Sequence, residues 1–114
     1  MKTFNYEKAL SVCGDDVELL RELIDLFKQQ SPQLMADIQK AIKATQPDKL
    51  ARAAHTLKGS LANLGGTAAC EIAHKLETMG LDNNITGAET LFQNLTREVE
   101  KFEHEAANLE RTSV

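Results

Sequence analysis

Apolar residues recur at three- and four-residue spacing along most of the chain, and Gly, Pro and polar clusters divide those runs into helical segments. A short first helix is predicted over Tyr6 to Val12, closed by Gly14. Asp15 is the expected N-cap of a long second helix, with Asp16 and Glu18 in the first turn, where the helix dipole favours carboxylates. Val17, Leu20, Ile24, Phe27, Leu34, Ile38 and Ala41 form one buried line along it. Pro32 falls inside that line; the apolar phase continues past it, so a kink, or a break and restart, is expected rather than a domain boundary. A third helix starts at Pro47, which suits the first helical turn, and runs to about Leu64 before Gly65 and Gly66. Thr67 is the expected cap of a fourth helix, ended by Gly80. A polar loop, Asp82-Asn83-Asn84, leads to a fifth from about Thr86 to Leu109, with the stripe Leu91, Leu95, Val99, Phe102, Ala106 and Leu109.

No segment sustains the period-two alternation of strands. Amphipathic helices joined by short loops hide their stripes in one another, so the predicted fold class is all-α. The expected architecture is an up-down antiparallel four-helix bundle with a short additional N-terminal helix. Residues 1–114 read as one domain, with a core over about 7–109 and a tail over about 110–114.

Composition removes several functions. The chain holds four Phe, one Tyr and no Trp, too few for base-stacking surfaces. A net charge of −4 leaves no basic stripe to neutralise phosphates, so no nucleic-acid partner is expected. No apolar run reaches the roughly 18–20 residues that span a bilayer, and the start, MKTFNYEKAL, lacks a secretory core, so no membrane association is expected. Cys13 and Cys70 are far apart and read as two reduced thiols in a cytoplasmic protein.

The third helix carries the chemistry. At about 100° per residue, Leu50, Ala54, Leu57, Leu61 and Leu64 lie within roughly 40° of one line, and His55 lies about 140° from it. His55 is therefore expected on the surface, not in the core. Gly59 stands one turn later, and Ala51 and Ala62 share this side. A helical side chain covers the turn before it, so a large residue at 59 would lie across the imidazole. Glycine there costs roughly 1 kcal/mol against Ala in helix propensity, and open access to His55 is a reason for it. Lys58, at i+3, brings a cation to whatever the ring meets, which suits an anion and repels a metal ion.

The stretch AHTLKGSLANLG resembles the signature of histidine-containing phosphotransfer (HPt) domains: His, two residues, Lys-Gly, then a small-residue-rich turn ending in Gly. LLRELIDLFKQQSPQLMADIQKAI resembles the family's long second helix, internal Pro included, and CEIAHKLE its fourth, so the likeness covers most of residues 7–105. The resemblance implies a monomeric phosphocarrier, not an enzyme. His55 would take a phosphoryl group from the phospho-aspartate of a response-regulator receiver domain and pass it to another receiver's aspartate, in a relay fed by a sensor or hybrid histidine kinase. Lys58 would offset phosphate charge, and no cofactor of its own is implied, Mg²⁺ belonging to the receiver. Thr56 stands where dimeric histidine kinases commonly have an acidic residue, and no Gly-rich nucleotide-binding segment follows, so autophosphorylation from ATP is not expected. The implied docking surface is Ala51, Arg52, Lys58, Gly59 and Ala62. Two alternatives stay open: a phosphotransfer domain of a chemotaxis-type kinase, charged directly by a separate ATP-binding domain, and a helical adaptor that carries no phosphate.

Glu77 follows Thr67 by ten residues, as His55 precedes Gly65 by ten, so in an antiparallel hairpin the two sit at one height. With Ile72, Leu76 and Met79 as the fourth helix's core line, Glu77 is also about 140° off it. Equal offsets leave two choices, a shared groove or its outer flanks, and counting does not choose. The phosphotransfer domains of chemotaxis kinases carry an imidazole-binding Glu at this spacing; the resemblance favours the groove, with Glu77 orienting the ring. Cys70 and His74 are one turn apart, but without further ligands they read as surface residues and no metal site is expected. His104 sits among charged residues and takes no role.

Overall fold

The computed structural model describes residues 4–112, with side chains as far as Asn108. The side chain of Leu109 and, from the expected tail, Ser113 and Val114 lie outside the described residues. Five helices follow in order: α1 (Tyr6–Val12), α2 (Val17–Lys43), α3 (Pro47–Asn63), α4 (Thr67–Leu81) and α5 (Ala88–Thr112), with no strand among the described residues. α2 packs on α3, α3 on α4, α4 on α5, and α5 returns to α2; the α3–α4 pairing is the most extensive. Leu20, Ile24, Ile38, Leu50, Leu57, Leu61, Leu76, Leu95 and Phe102 are almost wholly withdrawn from solvent in the shared core. Phe102 stands edge-on to Phe27 at 5.3 Å and to Phe4 at 5.6 Å, and Phe4 to Tyr6 at 6.3 Å, so an aromatic-poor chain places four of its rings in one contact chain.

Local chemistry explains the helix boundaries, including several the sequence misplaces. Gly14 and Asp15 both take left-handed φ, 64° and 63°, and the Asp15 N–H reaches back to the Leu10 carbonyl at 2.9 Å. That turn uses Asp15, so the cap of α2 is Asp16, whose side chain accepts the Leu19 N–H at 3.1 Å. α2 runs unbroken through Pro32. The proline removes one backbone donor at a cost of about 3 kcal/mol, which the buried line on both sides of it, Ile24 and Phe27 before and Ile38 and Ala41 after, outweighs. α3 begins at Pro47 as expected.

Two expectations for α4 fail. Gly66, not Thr67, is its N-cap, and Thr67 turns its hydroxyl to the Gly65 carbonyl. Gly80 does not end the helix: it is buried inside it, and Asn83, at φ 59°, makes the turn instead. A Cβ on Gly80 would stand 2.6 Å from the Pro47 carbonyl oxygen and 2.7 Å from the Ala51 nitrogen. Gly80 is the point where α4 lies directly against the backbone of α3. α5 starts at Ala88, because Asn84 Oδ1 accepts the Thr86 N–H and Gly87 takes φ 86°. Its buried line is Ala88, Phe92, Leu95, Val99, Phe102 and Ala106, which leaves Leu91 only partly covered.

Candidate functional site

The α3–α4 seam decides where the sequence-predicted residues meet. The two helices run antiparallel, with Gly80 against Pro47 and Ala51, Glu77 against His55 and Lys58, and Cys70 against the Lys58 carbonyl. The whole α3 stripe from Leu50 to Leu64 is buried, and the His55 side chain is 68% exposed. The phase argument for a surface histidine therefore holds in the structure.

Glu77 lies in the groove, and the reason corrects the offset assigned to it. The buried line of α4 is Ala69, Ala73, Leu76 and Gly80, not Ile72, Leu76 and Met79. Measured from that line Glu77 is only about 70° away, so it flanks the core and faces α3. Small residues form this line because α3 comes so close, and the bulkier Ile72 and Met79 turn aside, partly covered. Only 11% of the Glu77 side chain is exposed.

A carboxylate so buried needs partners. Oε1 of Glu77 accepts from Lys58 Nζ at 2.6 Å, and Oε2 stands 2.6 Å from His55 Nδ1. Lys58, then His55, hold the Glu77 carboxyl below the usual carboxylate range, against the opposing effect of burial. Glu77 is thus ionised and acceptor-only, which requires Nδ1 to carry the proton it donates. In the neutral ring the lone pair then resides on Nε2, on the exposed side chain. The arrangement is an imidazole fixed at one nitrogen, nucleophilic at the other and flanked by an ammonium group.

The Hpt domain family model matches residues 22–109, a span that contains all three of these side chains. The chain belongs to the Hpt domain family. Its role is accordingly in histidine phosphotransfer within two-component signalling. The fold is similar to that of histidine-containing phosphotransfer protein B (HptB) from Pseudomonas aeruginosa PAO1, at a TM-score of 0.87 and 19% identity over 96% of each chain. No curated protein matches the chain in sequence.

Around His55 the other expected residues divide. Gly59 is exposed and a Cβ there would meet nothing within 4 Å, so no packing demand accounts for the glycine. Arg52 is exposed and Ala62 half-buried. Ala51 does not belong to an exposed docking face: it is 8% exposed, covered by α4 where Gly80 meets it. One neighbour was missed. His74 Nδ1 stands 3.6 Å from Glu77 Oε1, one turn before it on α4. The i,i+3 spacing of His74 and Glu77 is the signal in the sequence for this contact. Cys70 instead turns its thiol to the Lys58 carbonyl at 3.6 Å, and among the described residues no group of three metal-ligating side chains occurs. No helix among the described residues is long and apolar enough to cross a membrane.

Proposed function

We propose that the chain relays a phosphoryl group between receiver-domain aspartates through a phosphohistidine at His55 Nε2. The observation that carries this reading is the 2.6 Å contact between His55 Nδ1 and Glu77, which leaves Nε2 as the free ring nitrogen of a side chain that is 68% exposed. The Nε2 lone pair attacks the phosphorus of an aspartyl phosphate, an N–P bond forms, and the P–O bond to the aspartate breaks. The bonding electrons leave with the aspartate carboxylate. No proton has to move, because the ring becomes an imidazolium whose Nδ1–H still points at Glu77, and that carboxylate stabilises the new positive charge as a triad acid stabilises its histidine. Lys58 keeps Glu77 in place and, with further N–H donors on the same ammonium, offsets charge on the transferring group. The reverse sequence delivers the group to a second receiver.

The scaffold for this chemistry is one domain, an up-down antiparallel four-helix bundle with α1 set beside it, acting as a monomeric cytoplasmic carrier. Mg²⁺ and its carboxylate ligands belong to the receiver. The docking face is the surface around His55 formed by exposed Arg52 and Gly59 with half-buried Lys58 and Ala62. Incubation with a receiver phosphorylated at its aspartate, in Mg²⁺, moves label to this chain, and the label is acid-labile and alkali-stable, as a phosphoramidate is. Label that survives acid, or none from any of several receivers, contradicts the relay. A second reading is favoured by the Glu77 contact, which resembles that of chemotaxis kinases: the same His55 charged directly by a separate ATP-binding domain. The donor that labels His55, receiver or kinase, separates the two.

A further inference from the structure

On the side of α4 away from His55, the seam with α5 opens into a groove of about 430 Å³ lined by Ile72, Lys75, Leu91, Asn94, Arg97 and Lys101, with Glu98 beside them. Its origin lies in the packing. The α4 core line of small residues turns Ile72 aside, and the α5 line through Ala88, Phe92 and Leu95 does the same to Leu91. Each helix thus gives one large, partly covered apolar side chain to the groove. Its lining is basic: it holds Lys75, Arg97 and Lys101 and one carboxylate, Glu98, which stands 3.4 Å from Lys101, while Arg97 donates to Asn94 Oδ1. A lining of three cations to one anion is unusual on a chain whose net charge is −4.

We infer that this groove docks an acidic segment of a partner protein that carries an aliphatic residue among its carboxylates. The lining attracts carboxylates, and Ile72 and Leu91 offer apolar surface to a Leu- or Ile-sized side chain. A nucleic acid or an anionic membrane fits poorly. Both call for a broad basic face, which a chain of net charge −4 does not supply, and nucleic acid also for aromatic stacking groups, of which the groove has none. Because α4 stands between the groove and the His55–Glu77 seam, a partner held here leaves His55 open for transfer. The inference stands independently of the relay.

Amide NMR of the full chain, titrated with a capped ten-residue peptide of Glu with two Leu, tests it. Shifts should concentrate at Ile72, Lys75, Leu91, Asn94 and Arg97 and weaken several-fold as salt rises. The double substitution Lys75→Glu, Arg97→Glu should raise the half-saturation point at least tenfold while phosphoryl uptake at His55 stays as in the parent. Any of four results would overturn the inference: no shifts at millimolar peptide, shifts around His55 instead, equal binding of a peptide with Lys in place of Glu, or equal binding by the double variant. Tighter binding of anionic vesicles or single-stranded DNA, run in parallel, would overturn it too.

Discussion

His55→Gln takes up no detectable phosphoryl group from a phosphorylated receiver, while its thermal unfolding stays within about 1 kcal/mol of the parent. The stability half of this result follows from exposure. The ring is 68% exposed and touches the bundle through its contact with Glu77, toward which a glutamine amide can still donate. The chemical half follows from the nucleophile: an amide nitrogen has no available lone pair, so no N–P bond forms whatever the docking geometry. His74 is the informative control. It stands 3.6 Å from the same Glu77 carboxylate, so it shares much of the local electrostatics. His74→Gln keeps its uptake, and label on His74 in the His55→Gln protein would show that the seam does not single out one imidazole.

Gly80→Ala destabilises the protein by about 2 kcal/mol or more, roughly 8 °C in Tm for a domain of this size. Propensity alone predicts the opposite sign, because Ala in a helix interior is favoured over Gly by about 1 kcal/mol. Sterics reverse it. The new Cβ would stand 2.6 Å from the Pro47 oxygen, 2.7 Å from the Ala51 nitrogen and 2.9 Å from the Ala51 Cβ. Two of these are backbone atoms, which cannot swing aside, so α3 and α4 must separate or shift. Gly59→Ala is the matched comparison on the facing helix. There a Cβ meets nothing, and propensity alone acts, for a gain of up to about 1 kcal/mol. Thermal unfolding of the two variants side by side checks both signs; a stabilised Gly80→Ala would mean that the close helix approach is wrong.

Those two glycines also mark how far the sequence could be read. Periodicity located all five helices and the α3 stripe, because large apolar residues at fixed spacing record which face is buried. It misjudged α4, whose buried line consists of Ala69, Ala73 and Gly80 besides Leu76. Small residues carry no such signature: they mark close helix approach only once the neighbouring helix is in place. That misreading put Glu77 about 140° off the core instead of about 70°, and the same close helix approach also overturns Gly80 as a helix stop and Ala51 as exposed surface. The Asp15 and Thr67 caps failed for a different reason, since turn residues shift a helix start by one position. At the site, the phase of His55 was legible because it depends on α3 alone. The contacts of Glu77 and His74 depend on the α3–α4 register and on side-chain direction, which counting could narrow but not decide.

Phosphoryl transfer through His55 depends on a ring held at Nδ1 and reactive at Nε2. Nitrogen and phosphorus NMR of the imidazole-labelled protein, phosphorylated by a receiver, reads the modified atom directly. The predicted result is coupling of phosphorus to His55 Nε2, with Nδ1 still protonated and its hydrogen bond lost in Glu77→Ala. Phosphorus on Nδ1, or on another residue, would contradict it.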